Sequence, residues 1–220
     1  MLRAVVFDLD GTLLDTIPDI AGALNRALAA QGLPTHPVRT CAGFVGGGIR
    51  EAVKKAAPPD ASEEILQAIL DGYKGDYVAH CTEKTACYPG VPELLEGLVR
   101  RGLALGVLSN KTEGTVRKIV RHFFPDVPFR CVFGRTEDRP LKPDPAAAAP
   151  VLAALPFPAG EMAYVGDSGT DMRFAREVGM VPAAAPWGYR SREELVAQGA
   201  VLTPENPVEL LRMLLAEAGA

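Results

Sequence analysis

A continuous apolar run near the beginning of the chain leads straight into two carboxylates and a glycine turn, in the order Val5-Val6-Phe7-Asp8-Leu9-Asp10-Gly11-Thr12. A run without polar alternation is typical of a strand covered on both faces, as strands of parallel sheets are. Gly11 allows the chain to turn sharply and to bring its backbone close to a ligand. The pattern puts Asp8 at the carboxyl end of the strand, where it begins either an active site or a plain polar turn.

Past residue 90 the chain alternates between helices and short apolar strands. Between the helices we predict four strands, at 103–108, 130–133, 162–165 and 181–183. Repeated β-α order predicts a parallel sheet with helices on both faces. Residues 15–80 instead carry helical signals only, with apolar residues at helical spacing from Ile17 to Leu28, a short helix through Val53 and Lys54, and a further helix opened by Ser62.

The first strand is separated from the next by this all-helical stretch. The sequence therefore predicts an α/β fold: a Rossmann-like, doubly wound parallel sheet at 1–14 and 82–220, with an all-helical domain inserted at 15–81. A chain of 220 residues is long enough for such a core and its insert. In these sheets, ligands bind at the carboxyl ends of the strands, near the point where the strand order reverses.

Polar residues follow the predicted strands at that edge, and they are Asp8, Asp10, Ser109, Asn110, Lys142, Asp167 and Asp171. Taken singly, each is explained by a helix cap or a solvated turn. Together, carboxylates, a hydroxyl and a lysine suit a hard divalent cation and a phosphoryl group. Mg²⁺ prefers oxygen ligands, and a lysine can neutralise phosphoryl oxygens.

Composition argues against several other classes. The net charge of −4 gives no support for a nucleic-acid or membrane partner, and no apolar run approaches the ~20 residues that span a bilayer. The four cysteines show no Cys-x-x-Cys spacing and no signal-like segment opens the chain, so we expect a reduced, cytoplasmic protein. The expected partner is a small phosphorylated substrate, and the expected state is a monomer or a homodimer.

These motifs resemble, in order, the four motifs of the haloacid dehalogenase superfamily. The matching segments are Asp8-Leu9-Asp10-Gly11-Thr12, Ser109-Asn110, Lys142-Pro143 and Gly166-Asp167-Ser168-x-x-Asp171. The insert resembles the helical cap of that superfamily's first cap type. Three more segments resemble its phosphoglycolate phosphatase-like branch: Tyr88-Pro89-Gly90-Val91, Leu108-Ser109-Asn110-Lys111 and Phe44-Val45-Gly46-x-Gly48. The resemblance implies a Mg²⁺-dependent phosphomonoester hydrolase whose expected substrate is 2-phosphoglycolate.

The resemblance also implies roles for the core residues. Asp8 would be the nucleophile that forms an aspartyl-phosphate, and Asp10 the general acid that protonates the leaving alkoxide and then the base that activates water. Ser109 and Lys142 would hold the transferring phosphoryl oxygens.

The same resemblance implies a metal site. Asp8, the backbone carbonyl of Asp10 and Asp167 would ligate Mg²⁺, which lets an anionic nucleophile approach an anionic phosphate. Asp171 would orient Lys142 or a metal-bound water from behind.

Further candidates for substrate contacts are Thr12, Asn110, Gly46 and Arg50, with Asn110 expected as a neighbour of the chemistry. The glycines before Arg50 can present N–H groups at a helix N-terminus, and Arg50 can grip a carboxylate. Losing such a charged hydrogen bond typically costs ~1.5–3 kcal/mol. Arg50→Ala is therefore predicted to lower kcat/KM for 2-phosphoglycolate ten- to hundredfold. The alternative is an interhelix hinge with Arg50 in solvent.

Other activities remain open at this stage. A dehalogenase has no use for a carboxylic acid two residues after its nucleophile, so Asp10 argues for phosphoryl transfer. A phosphosugar mutase similar to β-phosphoglucomutase, a sugar-phosphate phosphatase or a pyrophosphatase would keep every core residue. A non-catalytic phosphate-binding protein would be expected to lose one, and none is lost.

Overall fold

The computed structural model describes residues 1–219 and divides into two compact units. The core unit comprises Met1–Leu14 and the chain from Cys87 onward, and the helical unit is Asp15–Ala86. The two divisions fall inside two short strands, β2 (Leu14–Asp15) and β3 (Ala86–Cys87). The second division lies five residues beyond the predicted boundary at 81/82, because backbone amides of Lys84 and Thr85 donate to the Asp19 carboxylate of the helical unit.

The core unit is built on a five-stranded sheet, with strands β1 (Ala4–Phe7), β4 (Ala104–Thr112), β5 (Phe129–Arg135), β6 (Met162–Gly166) and β7 (Val181–Ala184). Their spatial order is β5-β4-β1-β6-β7, and every neighbouring pair is parallel. β1 is therefore central, and the strand order reverses beside it. This arrangement confirms the predicted doubly wound α/β fold.

Helices of the core unit follow the strands in alternation, and they are α5 (Val91–Arg100), α6 (Glu113–Phe123), α7 (Ala149–Ala154), α8 (Gly169–Val178), α9 (Arg192–Ala197) and α10 (Pro207–Glu217). Short 3₁₀ turns precede α7 at Pro145–Ala148 and β6 at Ala159–Glu161. Every residue of β1 is buried, as the continuous apolar run predicts.

β4 is longer than the predicted strand at 103–108, because it continues through Ser109, Asn110 and Lys111 to Thr112. Its pairing with β5 shifts there: Leu108 pairs with Phe133, and Thr112 pairs with Arg135. An advance of four residues along β4 therefore opposes an advance of two residues along β5, so β4 contains a β-bulge at this point. Gly134 makes room for it, since a Cβ at Gly134 would collide with the backbone of Lys111 and Glu113. Bulges of this kind re-aim side chains at the rim of a sheet.

The helical unit contains α1 (Ile17–Ala30), α2 (Val38–Cys41), α3 (Ile49–Ala56) and α4 (Glu63–His80), with a 3₁₀ turn at Ala42–Phe44. Ser62 Oγ accepts the Ile65 N–H at 3.4 Å and so caps α4, as its sequence position predicts. Among residues 1–219, no helix combines the length and the apolar character that crossing a membrane requires.

Candidate active site

The turn after β1 carries the first two carboxylates. The Asp8 N–H donates to Val165 O at 2.9 Å, which fixes the end of β1 beside the end of β6. Gly11 has φ 77°, and a Cβ there would collide with the carboxylate of Asp167. Only glycine combines this left-handed backbone with so close an approach. The turn therefore brings Asp8 and Asp167 to one point.

Lys142 joins the carboxylates from the loop after β5. Its Nζ lies 3.1 Å from Asp8 Oδ1 and 2.7 Å from Asp171 Oδ1, and its side chain is 2% exposed. A buried ammonium group is stable only with such partners. Three segments predicted to converge, after β1, after β5 and after β6, thus meet at one ammonium group.

Tyr164 is part of this arrangement, and the motif analysis missed it. Lys142 Nζ donates to Tyr164 Oη at 2.6 Å, and the Tyr164 hydroxyl donates to Leu108 O at 2.6 Å. The ring is fully buried among apolar side chains in β6. The available signal was a phenol within an otherwise apolar strand, because a buried tyrosine hydroxyl needs partners.

Asn110 holds the backbone of Lys142. Its Oδ1 accepts the Lys142 N–H at 2.9 Å, and its Nδ2 donates to Lys142 O at 3.0 Å. The asparagine therefore fixes the loop that carries the lysine, and its expected contact with substrate stays a prediction. Ser109 is buried beside it, and its Oγ accepts the Lys111 N–H at 3.3 Å.

Asp171 is held at the start of α8 by a reciprocal cap. Its Oδ2 accepts from the N–H and hydroxyl of Ser168, at 3.1 and 2.6 Å, while Ser168 Oγ accepts the Asp171 N–H. Its other oxygen accepts from Lys142. Both oxygens are thus used inside the protein, which suits a supporting position better than direct metal ligation.

The loop after β7 forms a side of the site that sequence reasoning missed. The Tyr189 N–H donates to Asp167 Oδ2 at 2.9 Å, and Trp187 Nε1 donates to Thr12 O at 2.9 Å. A Cβ at Gly188 would collide with Gly11 O and with the Asp167 side chain. The segment Trp187-Gly188-Tyr189 was the available signal. Thr12 itself is fully buried, so a contact between its side chain and substrate stays a prediction.

Burial and mutual repulsion dominate the electrostatics of the carboxylates. Burial, with repulsion from Asp171 and Asp10, raises the pKa of Asp8 to about 7 despite the opposing Lys142. Burial also raises the pKa of Asp167 well above its usual range. For Lys142, burial lowers the pKa, but attraction to Asp171 and Asp8 outweighs it and the net direction is upward. The site thus lacks positive charge when its carboxylates are ionised.

The residues fit a magnesium ion. Asp8 and Asp167 each offer a carboxylate oxygen, and these oxygens lie within 4.8 Å of one another and of an oxygen of the supporting Asp171. Within residues 1–219, no hydrogen-bond donor is aimed at the buried Asp8 Oδ1, whose contact with Lys142 is ionic. Oxygen ligands of this kind are those that Mg²⁺ prefers, and a divalent cation would relieve the repulsion described above.

Asp10 has a partner that the motif analysis did not single out. Lys111 Nζ lies 2.7 Å from Asp10 Oδ1, and the two side chains are 9% and 11% exposed. Lys111 is carried by the β4 bulge, so its position depends on the longer strand that the structure reveals.

The remaining predicted residues lie in the helical unit. Gly48 is the N-cap of α3, so the glycine segment does precede a helix N-terminus. Arg50 Nη2 forms an ion pair with Glu63 Oε2 at 2.7 Å, with side chains 51% and 68% exposed. The expected role of Gly46 and Arg50 in binding substrate stays a prediction.

Comparison with known proteins defines the class. Residues 5–185 match the family model described as haloacid dehalogenase-like hydrolase. A phosphoglycolate phosphatase of Cereibacter sphaeroides is 35% identical, with 98% of this chain and 100% of that protein covered. One of Rhodospirillum rubrum is 34% identical, with 91% and 86% covered. A crystal structure of a protein from Lactobacillus delbrueckii superposes with a TM-score of 0.91 at 29% identity, covering 96% and 98%.

The chain belongs to the haloacid dehalogenase-like hydrolase family. Within that family it is a phosphatase, and its relatives confirm the resemblance to the phosphoglycolate phosphatase-like branch.

Proposed function

We propose that this phosphatase hydrolyses 2-phosphoglycolate, with Mg²⁺ and through an aspartyl-phosphate on Asp8. The observation that carries the proposal is the Asp8 carboxylate at the carboxyl end of the central strand, with Lys142 Nζ 3.1 Å away and Asp167 and Asp171 grouped around it. A nucleophile beside a fixed cation and a group of oxygen ligands is what phosphoryl transfer to a carboxylate needs.

In the first step, an Asp8 carboxylate oxygen forms a bond to phosphorus while the bond from phosphorus to the leaving alkoxide breaks. Asp10 gives its proton to that alkoxide, so glycolate leaves with its hydroxyl restored. In the second step, Asp10 takes a proton from water as the water oxygen attacks the phosphorus of the aspartyl-phosphate. The bond to Asp8 breaks, inorganic phosphate leaves and the Asp8 carboxylate is regenerated.

Lys142 and Ser109 hold the phosphoryl oxygens through both steps. Tyr164, Asp171 and Asn110 fix Lys142 at its Nζ and its backbone, so its charge needs little rearrangement during the reaction. Asp8, Asp167 and the backbone carbonyl of Asp10 would hold Mg²⁺. When bound, the ion supplies positive charge that reduces repulsion between the carboxylate and the phosphate ester.

The choice of 2-phosphoglycolate is supported by relatives that bear that substrate in their names and match nearly the full chain. A phosphosugar mutase with the same core residues would differ in the fate of the aspartyl-phosphate. The cytoplasmic location and the monomeric or homodimeric state predicted from the sequence stay predictions.

A phosphate-release assay tests the proposal. The purified enzyme would be given 2-phosphoglycolate, sugar phosphates, pyrophosphate and nucleotides, each with Mg²⁺ and again with EDTA. We expect the highest kcat/KM on 2-phosphoglycolate, loss of release in EDTA and recovery when Mg²⁺ is restored. A higher kcat/KM on another ester would make that ester the substrate in place of 2-phosphoglycolate. Phosphate release without metal would contradict the proposed metal site. Isomerisation of a sugar phosphate without phosphate release would indicate a mutase.

A further inference from the structure

A second lysine, partly buried, lies beside the proposed general acid. The Lys111 ammonium group is 2.7 Å from Asp10 Oδ1, and its side chain is 9% exposed. Phosphoryl transfer uses Lys142 as its cation and gives Lys111 no task. Keeping an ammonium group so far from water is unfavourable unless it is paired or used. Lys111 is paired with Asp10, the group proposed to protonate the leaving alkoxide.

The contact with Asp10 fixes where Lys111 lies relative to a bound ester. A general acid must come within ~3 Å of the oxygen that it protonates, and here that oxygen bridges phosphorus and the leaving group. The 2.7 Å contact then puts the Lys111 ammonium group within about 6 Å of the bridging oxygen if Asp10 donates from Oδ1, and within about 8 Å if it donates from Oδ2. Lys142 is on the phosphoryl side, beside Asp8. Lys111 is thus the cation on the leaving-group side of the core unit.

Building on the proposed function, we infer that Lys111 binds the carboxylate of the leaving group and so selects esters that carry a negative charge next to the bridging oxygen. In 2-phosphoglycolate a single methylene separates that oxygen from the carboxylate. A carboxylate there lies within reach of Lys111.

The charge balance of the site supports this assignment. With Asp10 protonated as the general acid, three carboxylates lie at this edge, Asp8, Asp167 and Asp171, beside the buried Lys142, the partly buried Lys111 and the Mg²⁺ of the proposed function. An ester with a second anionic group adds further negative charge. The Lys111 cation is placed where that extra charge arrives, and a neutral leaving group would have no use for it.

The β4 bulge links the two ends of the substrate. It carries Ser109 for the phosphoryl group and Lys111 for the leaving group, and the Lys111 N–H donates to Ser109 Oγ at 3.3 Å. A site on a strand is held more rigidly than one on a free loop. The fixed spacing between the Ser109 hydroxyl and the Lys111 ammonium group therefore favours leaving groups of a particular length.

Kinetics on a matched pair of esters test the inference. The pair is 2-phosphoglycolate and 2-hydroxyethyl phosphate, which has similar length and no carboxylate. We expect Lys111→Met to lower kcat/KM ten- to hundredfold more on the first ester than on the second, mainly through KM. Lys111→Arg should recover part of the loss. Lys118→Met, which removes an exposed lysine of α6, should change neither value.

A purely structural role for Lys111 predicts something different. If the lysine only orients Asp10, Lys111→Met lowers kcat equally on both esters and leaves their ratio unchanged. That result would overturn the inference. So would a loss of the same size in Lys118→Met, because it would show that surface charge in general attracts the anionic ester.

Binding of phosphonates separates this inference from the proposed function. The probes are 3-phosphonopropionate, in which a methylene replaces the bridging oxygen of 2-phosphoglycolate, and propylphosphonate, which lacks the carboxylate. By calorimetry with Mg²⁺, we expect the enzyme to bind the first at least tenfold more tightly, and Lys111→Met to abolish the difference. Equal binding, no binding of either probe, or a difference that survives in Lys111→Met overturns the inference. A preserved difference without turnover of 2-phosphoglycolate defeats the proposed function alone.

Discussion

Lys142 of the core unit and Arg50 of the helical unit are both predicted to contact an anionic substrate, but their surroundings are opposite. The Lys142 side chain is 2% exposed and contacts Asp8, Asp171 and Tyr164. Arg50 is 51% exposed and pairs with Glu63, which is 68% exposed. The first cation is held before any substrate arrives by groups from the end of β1, from β6 and from α8. The Arg50 guanidinium has an exposed partner that water can replace, so Arg50 can change partners.

The difference in burial suits Lys142 to catalysis and Arg50 to the choice between substrates. Groups that stabilise a transition state act best when they are already in place, as Lys142 is. Exposed ion pairs contribute only ~0–1 kcal/mol, so residues such as Arg50 can be exchanged at little cost in stability. Variants of Lys142 and of the residues that contact it should therefore change catalysis for every ester, and variants of Arg50 should change only the relative rates.

Asp8→Asn should give the largest effect on activity. An amide is a poor nucleophile and a weaker ligand for Mg²⁺, so we expect a loss of at least ~10³-fold in kcat on every ester, with the fold intact. Phosphate release and circular dichroism are the two measurements. Activity within tenfold of the original enzyme would remove Asp8 from the nucleophilic role.

The same variant should gain stability in EDTA. Burial raises the folded-state pKa of Asp8 from 3.8 to about 7, so its stabilising contribution is full below about pH 4 and is lost as pH rises through 7. Asn carries no charge and avoids this loss. At pH 8 we expect Asp8→Asn to raise the free energy of unfolding by ~1–2 kcal/mol, which corresponds to an unfolding temperature about 2–8 °C higher than that of the original enzyme. At pH 4 the gain should be smaller. An equal gain at both pH values would contradict the electrostatic origin.

Asp10→Asn tests the general-acid role in the core unit. The amide cannot protonate a leaving group, so we expect a loss of about 10²–10⁴-fold on 2-phosphoglycolate. The loss on p-nitrophenyl phosphate should be much smaller, since p-nitrophenolate leaves with little protonation. Comparing kcat on the two substrates is the measurement, and equal losses would count against the acid role.

Tyr164→Phe should give an intermediate effect. It removes one hydrogen bond from Lys142 and leaves the buried Leu108 carbonyl without the Tyr164 hydroxyl, which typically costs ~1–3 kcal/mol. We expect a similar fall in unfolding free energy and about a tenfold lower kcat on all esters. Tyr73→Phe, in α4 of the helical unit, is the matched control and should leave kcat unchanged. Unchanged kcat in Tyr164→Phe would make the tyrosine a packing residue only.

Within the core unit, the sequence predicted the features that depend on local patterns and missed those that depend on long-range packing. The parallel sheet and the convergence of Asp8, Lys142 and Asp171 were predictable, because apolar strands and the polar residues that follow them are local patterns that a doubly wound sheet brings to one edge. Tyr164 was missed because its hydroxyl acts from inside an apolar strand. Lys111 was not singled out because the bulge that positions it depends on pairing with β5, whose residues lie 23 to 25 positions further along the chain. Side chains that act through long-range register carry no local signal.

Arg50→Ala should give the smallest effect, and it tests the helical unit directly. A desolvated grip on a carboxylate would predict a ten- to hundredfold loss, but Arg50 is half exposed and would have to exchange Glu63 for the substrate. Exposed pairs are worth ~0–1 kcal/mol, so we expect at most about a fivefold lower kcat/KM on 2-phosphoglycolate and no change on p-nitrophenyl phosphate. Glu63→Ala is the matched control: it frees Arg50 from its partner and should leave the ratio of the two substrates the same or shift it toward 2-phosphoglycolate. A selective loss beyond tenfold in Arg50→Ala would show that the arginine is desolvated in the complex, and parallel losses on both substrates would remove it from substrate recognition.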